Sequence, residues 1–426
     1  MADEHILQLK NQYSEDDSIR SYEYYEYQPI TGTKLNTPGQ ISIAVQSQDE
    51  FFHPAGSYLL FEGNLVKDAG TAYAGTDVVS LINNGIMFLF SNIKYELSGQ
   101  EIESINYPGQ ATSMLGLLKY SDDFSRSQGL NQCWFKDSGT AASLTANKGF
   151  KIRQAYIIQS PTPKGSFSFA IPMRHIFGFC EDYNKIIYGM KQIITLVRTG
   201  NDDAIFRTTA AGKGKVVLDK ISWFLPRVLP NDKERFSLLK MIENKLLIDV
   251  GFRMRQCDTI TVPESTSFTW RLSVKASPER TSYVIIAFQT DKGGKQDENP
   301  AIFDHCKVKN MYIMLNSTRY PAMDFNADFT TNKLSRLYKE VSNFIPNYYG
   351  FDGQSNIDPV DYKALYPLFI FNVSKQSERM KGGITDLTVK MEFTDNVSAD
   401  TQSFALVISD RLLKFKSDGS QMNVVL

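Results

Sequence analysis

The chain reads as all-β, two antiparallel sandwiches of similar size in tandem, on three observations. Short apolar runs recur along its 426 residues, broken by turn residues and often alternating apolar with polar, as half-buried antiparallel strands do. Amphipathic helices between those runs are few, which disfavours a parallel α/β fold and favours a sandwich or barrel. One pattern is also written twice. "SNIKYELSGQEIESIN" (91–106) and "KNMYIMLNSTRYPAMDFN" (309–326) both run from an Asn (Asn92, Asn310) through an apolar-rich stretch to a Leu (Leu97, Leu315), then a small polar turn, then an apolar residue (Ile102, Tyr320). The two asparagines stand 218 positions apart, close to half the chain. A duplicated sandwich would write its strand–turn–strand corners twice at such a distance.

Taken in order, residues 1–40 contain "SYEYYEYQPITGT", where tyrosine alternates with glutamate. This could form an edge strand, but no partner for it is evident, and we read the segment as an extended arm, either a loose tail or one that orders against a neighbouring subunit. A first unit spans 41–214, with strand-like runs "ISIAVQ" from Ile41, "SYLLFEGNLV" from Ser57, "IRQAYIIQ" from Ile152, "SFSFAIPM" from Ser166 and "KIIYGMKQIITLVR" from Lys185. Turn chemistry separates them at "NNG", "SGQ", "YPGQ" and "TPKG". The small-residue stretch "TTAAGKGKVV" then reads as a flexible linker, and a second unit, 215–426, restarts the β pattern at "ISWFLPRVLP". "NDKERFSLLKMIENK" predicts a helix capped by Asn231, with Asp232 and Glu234 at its positive end and Phe236, Leu239 and Ile242 on one face. The runs "LIDVGFRMRQ", "SFTWRLSVKA", "SYVIIAFQT", "VKNMYIMLN", "LYPLFIFNV", "ITDLTVKMEF" and "SFALVISDRLLKF" follow, and a second helix-like stretch, "TNKLSRLYKEVSNF", lies in an excursion between them.

Bulk properties narrow the function. A length of 426 suits two domains, and 42% hydrophobic with 22% charged residues describes an ordinary chain able to bury a core. A net charge of −1 gives no global field toward nucleic acid or anionic lipid. Cys133, Cys180, Cys257 and Cys306 are far apart without a CxxC, which argues for buried free thiols rather than a zinc site or a disulfide framework. "MADEHILQLK" lacks the basic start and apolar run of a signal peptide, and no stretch approaches the ~18 apolar residues of a membrane span.

No catalytic constellation emerges. His5, His53, His175 and His305 form no HExxH or HxH, and "DHC" at Asp304–Cys306 reads as a strand edge rather than a metal site or Cys–His pair. GxSxG, GxGxxG and DxDxDG are absent, and "AAGKGKVV" precedes a strand, whereas a phosphate loop follows one. Glu96, Glu101 and Glu103 crowd one strand–turn region, but nothing sets two of them at a glycosidase spacing. "RHIFGF" and "FRMRQ" mix arginine with aromatics, which suits base stacking or, more plainly, strand faces whose arginines reach solvent. Three glycosylation sequons, at Asn316, Asn372 and Asn396, read as chance matches without a secretory signal. We therefore expect no enzyme, no cofactor and no metal.

Four blocks carry a family resemblance: "SQDEFFHPAGSYLLFEGNLV" (47–66), "LFSNIKYELSGQEIESINYPGQATSMLGLLKYSDDFS" (89–125), "GFRMRQCDTITVPESTSFTWRLSVKASPER" (251–280) and "YPLFIFNVSKQSERMKGGITDLTVKMEFTDNVSADTQSFALVISDR" (366–411). Over nearly everything from residue 41 onward, the chain resembles the major capsid proteins of Polinton (Maverick) elements and adintovirus-like viruses. The resemblance implies a double jelly-roll: two tandem eight-stranded antiparallel jelly-rolls with a few short helices in long loops. It implies a homotrimer forming a pseudo-hexameric capsomer that meets neighbouring capsomers and a single jelly-roll penton protein. It further implies an icosahedral shell enclosing double-stranded DNA without sequence-specific binding, in a virion assembled in the host nucleus or cytoplasm.

On that reading the long excursions 131–150, 198–215 and 324–362 form outer towers and intratrimer contacts. Phe325, Phe329, Phe344, Tyr348, Tyr349 and Phe351 are candidate intersubunit contacts; alternatively they fold the loop back on its own sandwich. Because related sequences also occur as integrated copies in animal genomes, a domesticated scaffold that trimerises without a shell is one alternative. A carbohydrate-binding or carbohydrate-cleaving β-sandwich is the other.

Overall fold

The computed structural model describes residues 17–30, 32–46, 49–139, 144, 146–245, 247–273, 280–377, 386–419 and 422–425. The first half is built on β1 (Ile19–Tyr27), β2 (Gly39–Val45), β3 (Tyr58–Lys67), β4 (Phe90–Leu97), β5 (Gln100–Asn106), β6 (Ser166–Pro172), β7 (Gln192–Arg198) and β8 (Gly214–Pro230). The second is built on β9 (Leu247–Thr261), β10 (Ser267–Arg271), β11 (Arg280–Thr290), β12 (Val308–Leu315), β13 (Thr318–Tyr320), β14 (Phe369–Asn372), β15 (Leu387–Phe393) and β16 (Thr401–Ser417).

Their pairing is antiparallel throughout. The first half forms sheets in the order β1-β8-β3-β6 and β2-β7-β4-β5, and the second in the order β9-β16-β11-β14 and β10-β15-β12-β13. Adding eight to each label of the first half gives the second. This is the winding of a jelly-roll, written twice. Short strands add to it: Phe51–Phe52 beside β8, Val79–Leu81 paired with Ile205–Arg207, and Met422–Val425 on β16.

The repeated pattern is the β4–β5 hairpin in one half and the β12–β13 hairpin in the other. Their turns use left-handed residues, Ser98 and Gly99 (φ 48° and 79°) in the first and Asn316 (φ 53°) in the second, as tight hairpin turns demand.

Where a strand faces solvent on one side, its sequence alternates. In β15, Leu387, Val389, Met391 and Phe393 are buried and the residues between them are not. By contrast β11 and β16 are buried on both faces over Tyr283–Gln289 and Ser403–Ser409, because the first half and the 324–362 excursion cover the outer face of their sheet. That is why "SYVIIAFQT" and "SFALVIS" read as unbroken apolar runs. Each valine, leucine, isoleucine or phenylalanine fully buried in this way contributes about 1.5–3 kcal/mol.

Several expectations need correction. "IRQAYIIQ" is helical, with α1 being Pro108–Lys119 and α2 Lys148–Gln154, the latter running into a wider helical turn over Ala155–Gln159. Asn147 caps α2 by accepting the Phe150 N–H at 3.1 Å, and burial at residues 149, 150, 153, 154, 157 and 158 follows a helical period. α1 is buried almost all round, so it lacks the polar face that would mark it as a helix in sequence.

Within the segment read as an arm, β1 pairs along its length with β8 (Tyr27↔Trp223 to Ile19↔Pro230). In turn β8, at whose first residues the second unit was expected to begin, pairs only with strands of the first half. The segment after β8 is α4 (Asp232–Glu243), which links the halves and is capped by Asn231 accepting the Glu234 N–H at 2.8 Å; α3 (Gly178–Asp182) is the short helix that precedes β7. Ile242 is buried, but Phe236 is 71% exposed, because only the C-terminal end of α4 docks, where the Ser417 hydroxyl donates to the Ile242 carbonyl.

Candidate assembly surfaces and the seam between the sandwiches

The most developed polar site lies between the two sandwiches. In "FRMRQ" of β9, Phe252 and Met254 share one face, both buried and Phe252 packed on Phe179 of the first half, while Arg253 and Arg255 share the other, as strand alternation requires. Arg255 does not reach solvent, and Arg253 keeps only 25% of its side chain exposed. They meet "RHIFGF" of the first half, so the two arginine–aromatic stretches of the sequence are the two sides of one joint.

Arg255 is fully buried. It donates to Glu181 and to the carbonyls of Ile176 (2.8 Å) and His175 (3.2 Å). Arg253 donates through Nε to Asp182 (2.9 Å) and through Nη1 to the Tyr348 carbonyl (2.7 Å), with its guanidinium 4.0 Å above the Tyr348 ring. Main-chain donors on the outer edge of β9 are also taken: Arg253 N–H by Asp182 and Arg255 N–H by Glu103, each at 2.8 Å. The Glu103 carboxylate additionally accepts from Gly178 and Phe179 N–H at 3.1 Å. It thus ties β5, α3 and β9 together.

Gly178 sits so close to β9 that a Cβ there would lie 1.8 Å from the Arg253 carbonyl oxygen. Cation–carboxylate contacts this dry are costly to expose singly, because the surviving charge stays buried.

Burial pushes Glu103 up to about 7 against the opposing pull of Arg255 and the three N–H donors. Burial also acts to raise Glu181, but Arg255, Lys119 and Arg253 outweigh it and hold that carboxyl down to about 2. His175, whose Nδ1 is 2.8 Å from Gln132 Oε1, is pushed down to about 3 by burial and by Lys119 and Arg174. Arg255, Arg253 and Glu181 therefore form a fixed ionic clamp, and Glu103 is the member that gains or loses a proton near neutral pH.

A second cluster joins the halves farther along. Asp137 and Arg153, both without exposed side-chain surface, pair at 2.6 Å. Asp137 also accepts from Asn299 (2.8 Å), its carbonyl accepts from Tyr366 (2.9 Å), and Lys136 reaches Asp361 (2.7 Å). Gln296 bridges Arg207, Asp202 and the main chain of Gly214. Each of the three long excursions thus supplies side chains to the seam: Lys136 and Asp137, Asp202 and Arg207, Tyr348 and Tyr349.

The six aromatics proposed as subunit contacts fall in different places. Phe329 is buried and stacks on His305 at 4.4 Å. Phe344 and Tyr348, both in α6 (Phe344–Tyr349), are buried against Tyr283 of β11, while the preceding α5 (Ser335–Ser342) lies against β14. Tyr349 donates to Glu181 at 3.1 Å, and Phe325 is half-buried beside Phe371. Phe351 alone of the six is mainly exposed, at 60%.

Elsewhere the exposed apolar side chains gather on β1, with Tyr22, Tyr24 and Tyr25 at 42%, 49% and 40%, and at single sites such as Met323 (72%) and Val360 (74%). Val360 borders an open groove of about 570 Å³ between α5 and α7 (Pro359–Ala364).

Other sequence candidates have structural duties. Asp304 accepts from Lys292 and the Thr290 N–H, both at 2.8 Å, and His305 Nδ1 accepts the Lys307 N–H. Glu96 pairs with Lys94 at 3.2 Å, on a different face from the buried Glu103. Among the described residues no group of three or more His, Cys, Asp or Glu could hold a metal ion, and no helix is long and apolar enough to cross a membrane. Of the seam's acids only Glu103 stood out in sequence, as part of a crowded turn, because its partner lies far along the chain (Arg255 N–H to Glu103 spans 152 positions).

Comparison with known proteins bears on the whole chain. A family model described as a double jelly roll-like domain matches residues 79–413. No curated protein sequence matches the chain. Among solved structures, a chain of the Sputnik virophage structure determined by cryo-EM superposes with a TM-score of 0.59 at 11% identity, over 99% of this chain and 92% of that one. VP54 of PBCV-1, fitted into a reconstruction of the virophage Sputnik, gives 0.56 at 10% identity over 98% and 99%. The major capsid protein of mavirus gives 0.52 at 11% identity over 98% and 92%. At such identities the likeness is one of fold, and it runs through both sandwiches.

Proposed function

Since this chain belongs to the double jelly roll-like domain family, we propose that it is a viral major capsid protein, the repeated tile of an icosahedral shell. The observation that carries this reading is the superposition of nearly the whole chain on VP54 of PBCV-1 and on the mavirus major capsid protein, chains of nearly the same length. A tandem pair of sandwiches locked by buried ion pairs is a rigid block with two similar sides, the shape from which a closed ring of copies can be built.

On this reading three copies form a trimer of six sandwiches, neighbouring trimers tile the shell, a separate vertex protein closes it, and double-stranded DNA fills it. The division between the jelly-rolls falls in α4, after Pro230, so that β1 and β8 both belong to the first. Phe351 is an intersubunit contact, while the other five aromatics act by bracing the excursion that carries it. The chain is a virion component, and its sequence blocks favour the Polinton and adintovirus-like group.

Mass photometry of the purified chain tests the proposal. The expected result is a species near three times 48.2 kDa, alone or with closed particles of uniform size; a strict monomer at micromolar concentration would overturn it.

A further inference from the structure

Beyond the seam, the ladder of β9 and β16 runs on to an end that the first half covers on one face only. On that face Leu413 and Phe415 are buried, with Phe415 against Phe179 and Tyr183 of the first half. The opposite face is open, and the register sets its side chains in rows: Arg253 beside Asp410, Gly251 beside Leu412, Asp249 beside Lys414, and Leu247 beside Lys416. Arg280 of β11 lengthens the first row, and Val425, on the short strand along β16, lengthens the third. Leu247, Leu412 and Val425 are 54%, 57% and 42% exposed, and Asp249, Lys414, Lys416 and Arg280 are exposed among them.

Gly251 opens a hollow in the middle of this face. An open pocket of about 670 Å³ lies there, lined by Arg253, Arg280, Arg411, Leu412 and the acids Asp182 and Asp410. A Cβ on Gly251 would meet nothing within 4 Å, and its φ lies outside the left-handed region, so neither crowding nor backbone conformation demands a glycine. Glycine inside a strand weakens it and commonly marks a place where a ligand approaches the backbone. The two acids of the pocket have partners in the fold, Asp182 with Arg253 and Asp410 with the Ser282 hydroxyl at 2.9 Å. Across the whole face, Lys414, Lys416 and the three arginines outnumber Asp182, Asp249 and Asp410.

Exposed leucines interleaved with lysines select the partner. Protein interfaces are depleted of lysine, and a nucleic-acid backbone rewards the lysines but leaves leucine and valine in water. A membrane surface uses both: apolar side chains enter the boundary between headgroups and acyl chains, while lysine stems lie along it and keep their ammonium groups at the phosphates. Arginine adds two-pronged pairing with phosphate. We propose that this face docks on an anionic phospholipid surface. Leu247, Leu412 and Val425 enter the headgroup layer, Lys414 and Lys416 meet its phosphates, and one headgroup phosphate enters the hollow over Gly251 beside Arg280. Such docking is independent of the capsid reading.

The test floats the full chain with phosphatidylcholine vesicles containing about one third phosphatidylserine, and with vesicles of phosphatidylcholine alone. The chain should bind the first at low salt, bind the second about tenfold more weakly or less, and come off as salt rises. Lys414→Gln with Lys416→Gln should weaken binding about 25-fold, at roughly fivefold per lysine, and Leu247→Ser with Leu412→Ser by about tenfold or more. Gly251→Val, which fills the hollow with a good strand former, should weaken binding severalfold without lowering the melting temperature. Val360→Ser, on the groove between α5 and α7, should leave it unchanged. A chain that floats with neither vesicle, or whose binding survives both the lysine and the leucine pair, overturns the inference, as does retention on double-stranded DNA in place of vesicles. Mass photometry reads the oligomer separately, so failure here leaves the capsid reading standing.

Discussion

Gly178→Ala tests the seam at its tightest point. The new Cβ would meet the Arg253 carbonyl oxygen at 1.8 Å and its carbon at 2.8 Å. Both are main chain, so no side chain can swing aside. An ordinary carbon–oxygen contact is about 3.3 Å, so α3 must retreat from β9 by about 1.5 Å. That stretches the Gly178 and Phe179 N–H bonds to Glu103, now 3.1 Å, and the Asp182 bond to the Arg253 N–H, now 2.8 Å, beyond hydrogen-bond range.

Hydrogen bonds to charged groups contribute about 1.5–3 kcal/mol each, while alanine gains at most about 1 kcal/mol over glycine in a helical turn. Allowing for partial relaxation, the net loss is about 2–4 kcal/mol, which for a chain of 426 residues lowers the melting temperature by about 2–5 °C. Differential scanning calorimetry reads it directly. Gly251→Ala is the control, on the same strand with nothing within 4 Å of the added methyl, and should shift the melt by less than about 1 °C. If Gly178→Ala melts with the unsubstituted chain, the close approach of α3 to β9 is not what holds the halves together.

Three further outcomes follow from the same geometry. Glu103, raised to about 7 in the fold, keeps a proton that the unfolded chain releases near its ordinary value of about 4.3. Its contribution is therefore full below that value and lost as pH rises through 7, worth up to about 3 kcal/mol; Glu181, held near 2, acts only in stronger acid. The melting temperature should fall between pH 5 and pH 8, and a Glu103→Gln chain should lack that fall. Asp137→Ala strands Arg153, which has no exposed surface, and should cost about 3–5 kcal/mol in urea unfolding, where a loss under about 1 kcal/mol would contradict the pairing. Phe351→Ser should leave the monomer's stability within about 0.5 kcal/mol while weakening the trimer, whereas Tyr348→Ala should lower stability by about 3 kcal/mol or more.

The sandwich pair was legible because its evidence is local: alternation along β15, turn residues at Ser98 and Asn316, and the duplicated hairpins all lie within single elements. α1 and α2 were missed for a physical reason. A helix buried on most sides, such as Pro108–Lys119, shows apolar content without a polar face, and "IRQAYIIQ" is too short to separate two periods. β1 lacked a visible partner because that partner, β8, lies about 200 residues away (Tyr27↔Trp223).

The seam was hidden similarly. "RHIFGF" and "FRMRQ" stood out as arginine–aromatic mixtures, but nothing in either indicates that they face each other. The same excursion that suggested subunit contacts spends Tyr348 and Tyr349 on the intrachain joint, since aromatic density marks burial without saying against which surface.

The central claim, that each chain supplies two of six like sandwiches to a closed ring of three, is tested most directly by imaging the purified oligomer in negative stain. The account predicts class averages with six lobes of similar size in threefold arrangement around a centre. Averages showing single two-lobed particles, or open head-to-tail fibres, would contradict it.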